Sequence, residues 1–103
     1  MQEAGVYQIR CLVNDRVYIG STRWLEYRKK THFSDLKKHD HHNINLQNDY
    51  DEYGRNSFVF EVIQTTEGCS LVDLEDKLEL LESFYANITR VFNYNLNPAI
   101  QQL

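Results

Sequence analysis

Two tyrosines near the start of the chain sit in paired triplets, Gly5-Val6-Tyr7 and Tyr18-Ile19-Gly20, each a glycine and a tyrosine around a β-branched residue. Further on, Arg28 and His32 stand four positions apart, the spacing that puts two side chains on one face of a helix. Phenols near cations form a set that can move a proton and hold a negative charge. An unperturbed phenol, with a pKa of ~10, is a poor base at neutral pH, and nearby positive charge lowers it. Phosphodiester hydrolysis makes demands of this kind. It needs a nucleophilic water, stabilisation of charge on the phosphate, and usually a divalent cation. One carboxylate plus substrate oxygens suffices for that cation when Mg2+ keeps its waters. Each residue also has a plain structural reading. The tyrosines can be strand aromatics, Arg28-Lys29-Lys30 a solvated helix surface, and His32 a structural histidine.

The elements that must position these residues follow from periodicity. Residues 5–13 and 16–22 read as strands around the turn-forming pair Asn14-Asp15, which makes a β-hairpin. With two central loop residues, Tyr7 lies opposite Thr22 and Tyr18 opposite Cys11. Ladder partners share a face, so both phenols point the same way. One extra loop residue would reverse that. Leu25, Phe33 and Leu36 predict a helix over 25–38, uninterrupted by Gly or Pro. A shorter helix is expected over 41–53, with Ile44, Leu46 and Tyr50 for burial and Gly54 as its stop. Phe58-Val59-Phe60-Glu61-Val62-Ile63 is a third strand. Ser70 and Asp73 resemble a capping box for a helix running to about Ala86, with Leu71, Leu74, Leu78, Leu81 and Tyr85 as its apolar stripe. Residues 92–96 form a short closing segment before Pro98. The order β-β-α-α-β-α gives a small α+β fold, a three-stranded antiparallel sheet flanked by helices.

At 103 residues, with 42% hydrophobic and 25% charged positions, the chain suits one globular domain over 1–103, with no appended DNA-binding domain. No apolar run approaches the ~18 residues of a membrane span, and Met1-Gln2-Glu3-Ala4 does not read as a signal peptide. The expectation is a soluble, cytoplasmic protein. Cys11 and Cys69 form no CxxC knuckle; pairing stays open, and two reduced buried thiols is the reading preferred. The net charge of −4 argues against a polyanionic partner, but its distribution argues for one. From Arg10 to Lys38 there are eight basic residues against three acidic ones, and all four histidines lie in or just after that stretch. A surface polarised in this way steers a polyanion to one face; a solvated helix beside an acidic one is the plain alternative.

The paired triplets closely resemble the signature of the GIY-YIG nuclease family, with valine in place of the first isoleucine. The resemblance extends in family order through Arg28 and His32, Leu46-Gln47, Tyr53-Gly54, residues 58–63, Leu81-Glu82-Ser83-Phe84-Tyr85 and Asn93-Tyr94-Asn95-Leu96-Asn97-Pro98. It implies a metal-dependent endonuclease that hydrolyses DNA phosphodiester bonds, similar to the catalytic domains of phage intron-encoded homing endonucleases, in a bacterial or phage-infected cell. It implies Tyr7 as general base or water-orienting phenol and Tyr18 as a positioning phenol. It assigns phosphate stabilisation to Arg28 with His32, one Mg2+ or Mn2+ to Glu82, and a supporting role to Asn95. His41 resembles a histidine of some phage members. Arg23, Lys29, Lys30 and His41 are the expected DNA contacts. The chain would act as a homodimer or with a separate targeting domain or partner, the kind of extra part from which family members commonly take specificity.

Two readings of another class stay open on these residues: a catalytically silent DNA-binding module of the same fold, and a protein-interaction domain. Glu82 is one of several acids on its helix, and Asn95 can be a turn residue. The cluster His39, His41 and His42 suggests zinc, but apart from Asp40 it lacks an acid or cysteine at a fitting spacing.

Overall fold

The computed structural model describes residues 3–66, 71–89 and 93–94. Strands β1 (Gly5–Cys11), β2 (Val17–Thr22) and β3 (Phe58–Thr65) form one sheet in the order β2-β1-β3, antiparallel throughout. Helices α1 (Leu25–Lys37) and α2 (Ile44–Tyr53) follow the hairpin, a 3-10 turn (Arg55–Ser57) leads into β3, and α3 (Leu71–Ile88) closes the sequence of elements. The expected order β-β-α-α-β-α and the α+β class are therefore those observed.

The hairpin register differs from the expected one. Cys11 pairs with Arg16 through its N–H at 2.9 Å, so the loop holds four residues, Leu12 to Asp15. Tyr7 lies opposite Gly20 and Tyr18 opposite Ile9, not opposite Thr22 and Cys11. Apolar Leu12 and Val13 suggest a longer strand, but both are exposed turn residues. Asn14 and Asp15 shape the turn instead. Asn14 Oδ1 accepts the Arg16 N–H at 2.9 Å, and Asp15 takes a φ of 61°, in the left-handed region that Asn and Asp tolerate. The loop is longer by two residues, an even number, so both tyrosines still share a face.

That face packs under α1 and α2. Tyr7, Ile9, Cys11 and Phe58 of the sheet meet Leu25, Leu36 and Leu46 of the helices, with Tyr94 of the closing segment. Val6, Val17 and Ile19 on the opposite face pack with Ile63 and with Leu81, Tyr85 and Ala86 of α3. The sheet is thus the middle of three layers, each face burying alternate residues. Along α3, Leu74 and Leu78 are buried and Leu81 and Tyr85 half-buried, which matches the stripe read from spacing. Buried Cys11 is a free thiol. Ser70, Cys69 and Pro98 lie outside the described residues.

Helix α2 begins three residues later than expected. Asn43 is its N-cap, and its side chain accepts the Leu46 N–H at 3.0 Å. His41 and His42 therefore lie in the α1–α2 connection, off any helix. The closing segment is seen at Asn93 and Tyr94. Tyr94 N–H donates to Val17 C=O at 2.7 Å, and Tyr94 C=O accepts from Asn43 Nδ2 at 2.7 Å. This short stretch ties the edge strand β2 to the cap of α2.

Candidate active site

Four elements converge at the Gly20 end of β2. Strand β1 supplies Tyr7, β2 supplies Tyr18, α1 supplies Arg28 and His32, and α3 supplies Glu82. A cavity of about 600 Å³ opens there, with Arg28 and Glu82 both in its wall beside Ser21, Thr22, Arg23 and Trp24. Glu82 Oε1 accepts from Ser21 Oγ at 2.9 Å. Ser21 follows Gly20, so it points to the α3 side of the sheet and reaches this carboxylate. Glu75, Glu79 and Glu82 line the same wall, as their i, i+4, i+7 spacing on one helix face allows.

The Tyr7 ring is buried and stacks on Phe60 at 4.8 Å between centroids. Its hydroxyl is hydrogen-bonded to His32 Nε2 at 2.5 Å. His32 Nδ1 is bonded to His41 Nε2 at 2.7 Å, and His41 Nδ1 accepts the Asn43 N–H at 3.0 Å. The Tyr18 hydroxyl is bonded to His42 Nε2 at 2.8 Å, and its ring meets His32, His41 and His42 edge-on. The three imidazoles stack in a column, with centroids 5.0 Å apart for His32 and His41 and 4.5 Å for His41 and His42.

Burial sets the protonation of this cluster. It pushes the Tyr7 phenol well above its ordinary range, reinforced by Tyr18 and Glu82 and opposed by Arg28. Tyr18 is pushed up to about 12 by burial and by Glu82, again opposed by Arg28. Burial pulls His32 down to about 3, aided by neighbouring His41, Arg28 and His42. It pulls His41 down to about 4, aided by His42 and opposed by Asp35. Both imidazoles are neutral near pH 7, and both phenols are protonated.

The residues named from sequence are thus distributed unevenly. Arg28 and Glu82 share the cavity wall, Tyr7 and Tyr18 lie close enough to feel both charges, and His32 is bonded to Tyr7; neither phenol lines the cavity. Asn95 lies outside the described residues. Of the expected DNA contacts, Arg23 Nε sits 2.6 Å from Glu75 Oε1, and Lys29 Nζ lies 6.0 Å from the Phe60 ring centroid. Lys30 is exposed, whereas His41 is only 7% exposed and bonded at both ring nitrogens, so its position is that of an interior residue. The remaining histidine, His39, bonds Asp51 at 2.8 Å, so the three histidines of the suggested zinc cluster engage three different partners.

Sequence reasoning missed Ser21, Trp24, Asn43 and the acids Glu75 and Glu79. The helical spacing of the acids was a usable signal. Gln47 entered only as part of the Leu46-Gln47 motif; in the structure it is buried and accepts the His41 N–H at 2.9 Å while donating to Leu36 C=O at 3.0 Å. Among the described residues, no three His, Cys, Asp or Glu side chains are arranged to cage a metal. The donor set at Glu82 is hard oxygen facing an open cavity, which suits one Mg2+ or Mn2+ that keeps most of its waters.

Comparison with known proteins bears on this geometry directly. Residues 3–95 match the family model described as the GIY-YIG catalytic domain. Intron-associated endonuclease 1 of Enterobacteria phage T4 is 42% identical over 59 residues, which is 57% of this chain and 23% of that protein. The chain therefore spans about a quarter of the length of this curated relative. The solved catalytic domain of the homing endonuclease I-TevI superposes with a TM-score of 0.80 at 29% identity, covering 92% of this chain and 99% of that one. A mutant of the same domain gives 0.79 at 29% identity, covering 92% of this chain and 94% of its own.

Proposed function

The chain belongs to the GIY-YIG catalytic domain family, and on that premise we propose that it is an endonuclease that hydrolyses DNA phosphodiester bonds with one divalent cation. The observation that carries this reading is the convergence of Arg28 and Glu82, from α1 and α3, in one cavity wall whose charges both phenols feel with opposite sign. No composition-driven surface requires a cation and an anion to meet beside one buried and one half-buried phenol.

Glu82 would hold the ion, with Ser21 fixing one carboxylate oxygen. Mg2+ or Mn2+ bound there would supply positive charge that lowers the pKa of a water and stabilises charge on the phosphate. The chain's own groups do the rest. Arg28 lies in the cavity wall, where a guanidinium can pair two phosphate oxygens. Tyr7 orients the attacking water and takes its proton once its own has left. That requires a lower phenol pKa than burial alone allows; Arg28 already acts in that direction. Tyr18, braced by His42, holds the water or phosphate from the neighbouring strand. Targeting to particular DNA is assigned to a further domain, a partner or a second copy.

The test is incubation of the purified protein with supercoiled plasmid in Mg2+, Mn2+ or EDTA, beside Glu82→Ala. Nicking that needs metal and is lost in the variant, with its circular dichroism unchanged, is the expected result. Full cleavage by Glu82→Ala would overturn the metal assignment. No cleavage by the folded wild-type protein, tested also on branched and single-stranded DNA, would overturn the stand-alone nuclease.

A further inference from the structure

The hydrogen bonds around Tyr7 have a direction that the heavy atoms alone determine. The Asn43 backbone N–H can only donate, and it lies 3.0 Å from His41 Nδ1. His41 Nδ1 therefore carries no proton. The ring is neutral near pH 7, so its single proton is on Nε2. His41 Nε2 faces His32 Nδ1 at 2.7 Å, hence His41 donates and His32 Nδ1 accepts. His32 is neutral as well, so its proton is on Nε2, 2.5 Å from the Tyr7 oxygen.

We infer that the Asn43 amide polarises this chain, so that His32 is a fixed N–H donor to the Tyr7 oxygen and cannot accept the Tyr7 proton. His41 is the positioning residue that transmits the direction. Reversing the chain would put a proton on His41 Nδ1, directly against the Asn43 N–H. The surroundings hold both ends of that contact in place. Gln47 Oε1 accepts the His41 N–H, and Asn43 is fixed by its side chain, which accepts from Leu46 N–H and donates to Tyr94 C=O. The charged and titratable groups that act on the two imidazoles, Arg28, His42 and Asp35, leave both neutral near pH 7 and do not alter this bond pattern.

The catalytic meaning of this direction rests on the nuclease reading above; the direction itself does not. In a chain running towards Tyr7, the phenol proton points away from His32. Once a hydroxide or water takes that proton, the oxyanion keeps an N–H bond from an uncharged imidazole. No imidazolium forms. His32 contributes by stabilising the tyrosinate, a role a neutral amide can imitate.

Two measurements decide the matter. Long-range 1H–15N correlation of the imidazoles in the wild-type protein at neutral pH reads each tautomer without substrate or metal. Nε2–H forms for both His32 and His41 are expected; an Nδ1–H form or an imidazolium at either would overturn the inference. In plasmid nicking, His32→Gln should stay within roughly tenfold of wild type, because its amide presents an N–H near the same place. His32→Ala should fall by roughly 100-fold, the scale of one lost stabilising donor. Equal losses in two folded variants would refute the donor role. If the wild type does not nick DNA, the stand-alone nuclease reading fails while the tautomers still decide the inference.

Discussion

The ring of Tyr7 lies directly over Gly20, its partner across the β1–β2 ladder, so that a Cβ on residue 20 would overlap the phenol oxygen and Cζ. The glycine is required by contact here. Its absent side chain is the space the Tyr7 phenol occupies on its way to His32. Gly20→Ala is expected to displace Tyr7, cost about 1–3 kcal/mol as an overpacked site, and reduce nicking along with stability. Urea unfolding and a nicking assay on the same preparation check it; a fully active Gly20→Ala would mean the phenol does not need this seat.

Acid should weaken the fold through the two inner histidines. Their folded pKa values, about 3 for His32 and about 4 for His41, lie below the ordinary 6.5. Between those limits the unfolded chain binds more protons than the folded one. The stabilising contribution is thus fully present above pH about 6.5 and is lost as the pH falls towards the folded values, at up to ~1.4 kcal/mol per pH unit for each histidine. Urea midpoints from pH 7 to pH 4 measure the slope, and His32→Gln should flatten it. A wild-type profile with no slope would contradict the neutral buried imidazoles.

Gln47 is a polar residue in the interior whose value lies in what it satisfies. Its carbonyl takes the His41 N–H, and its amide reaches Leu36 C=O and Asp51 Oδ1. Gln47→Leu fits the space but leaves the buried His41 N–H unpaired, for an expected loss of ~1–3 kcal/mol. A variant as stable as wild type by chemical denaturation would show that water or a backbone shift supplies the missing partner.

Ser21→Ala probes the carboxylate without touching it. The hydroxyl holds Glu82 Oε1 at 2.9 Å and touches no other proposed catalytic group. Its removal should leave folding intact and raise the Mg2+ concentration for half-maximal nicking by roughly tenfold or more, the usual effect of losing a partner that orients a metal ligand. An unchanged Mg2+ titration would detach Ser21 from the metal site.

Much of the scaffold is legible in the chain because it depends on period alone. Apolar residues three and four apart along α3, and Gly54 at the end of α2, mark helices whatever they pack against. The shared face of Tyr7 and Tyr18 was legible even through a wrong register, since alternation is sensitive only to whether the loop length is odd or even. The register itself was not legible. Leu12 and Val13 have strand chemistry, and only the left-handed Asp15 and the bond from Leu12 N–H to Ser57 C=O assign them to the turn.

What the sequence determined by itself is the order of elements and the facing of the two phenols; through the family resemblance it also proposed Arg28, His32 and Glu82 as site residues. Those depend on neighbours a few residues away or on the order of motifs. Tertiary structure decided which of these residues meet, and what protons they carry. His32 and His41 touch because α1 and the connection to α2 pack over one sheet face. Glu82 reaches the cavity because α3 packs on the other face and Ser21 points its way. The low histidine and high tyrosine pKa values come from burial, a property of the packed assembly and of no segment alone.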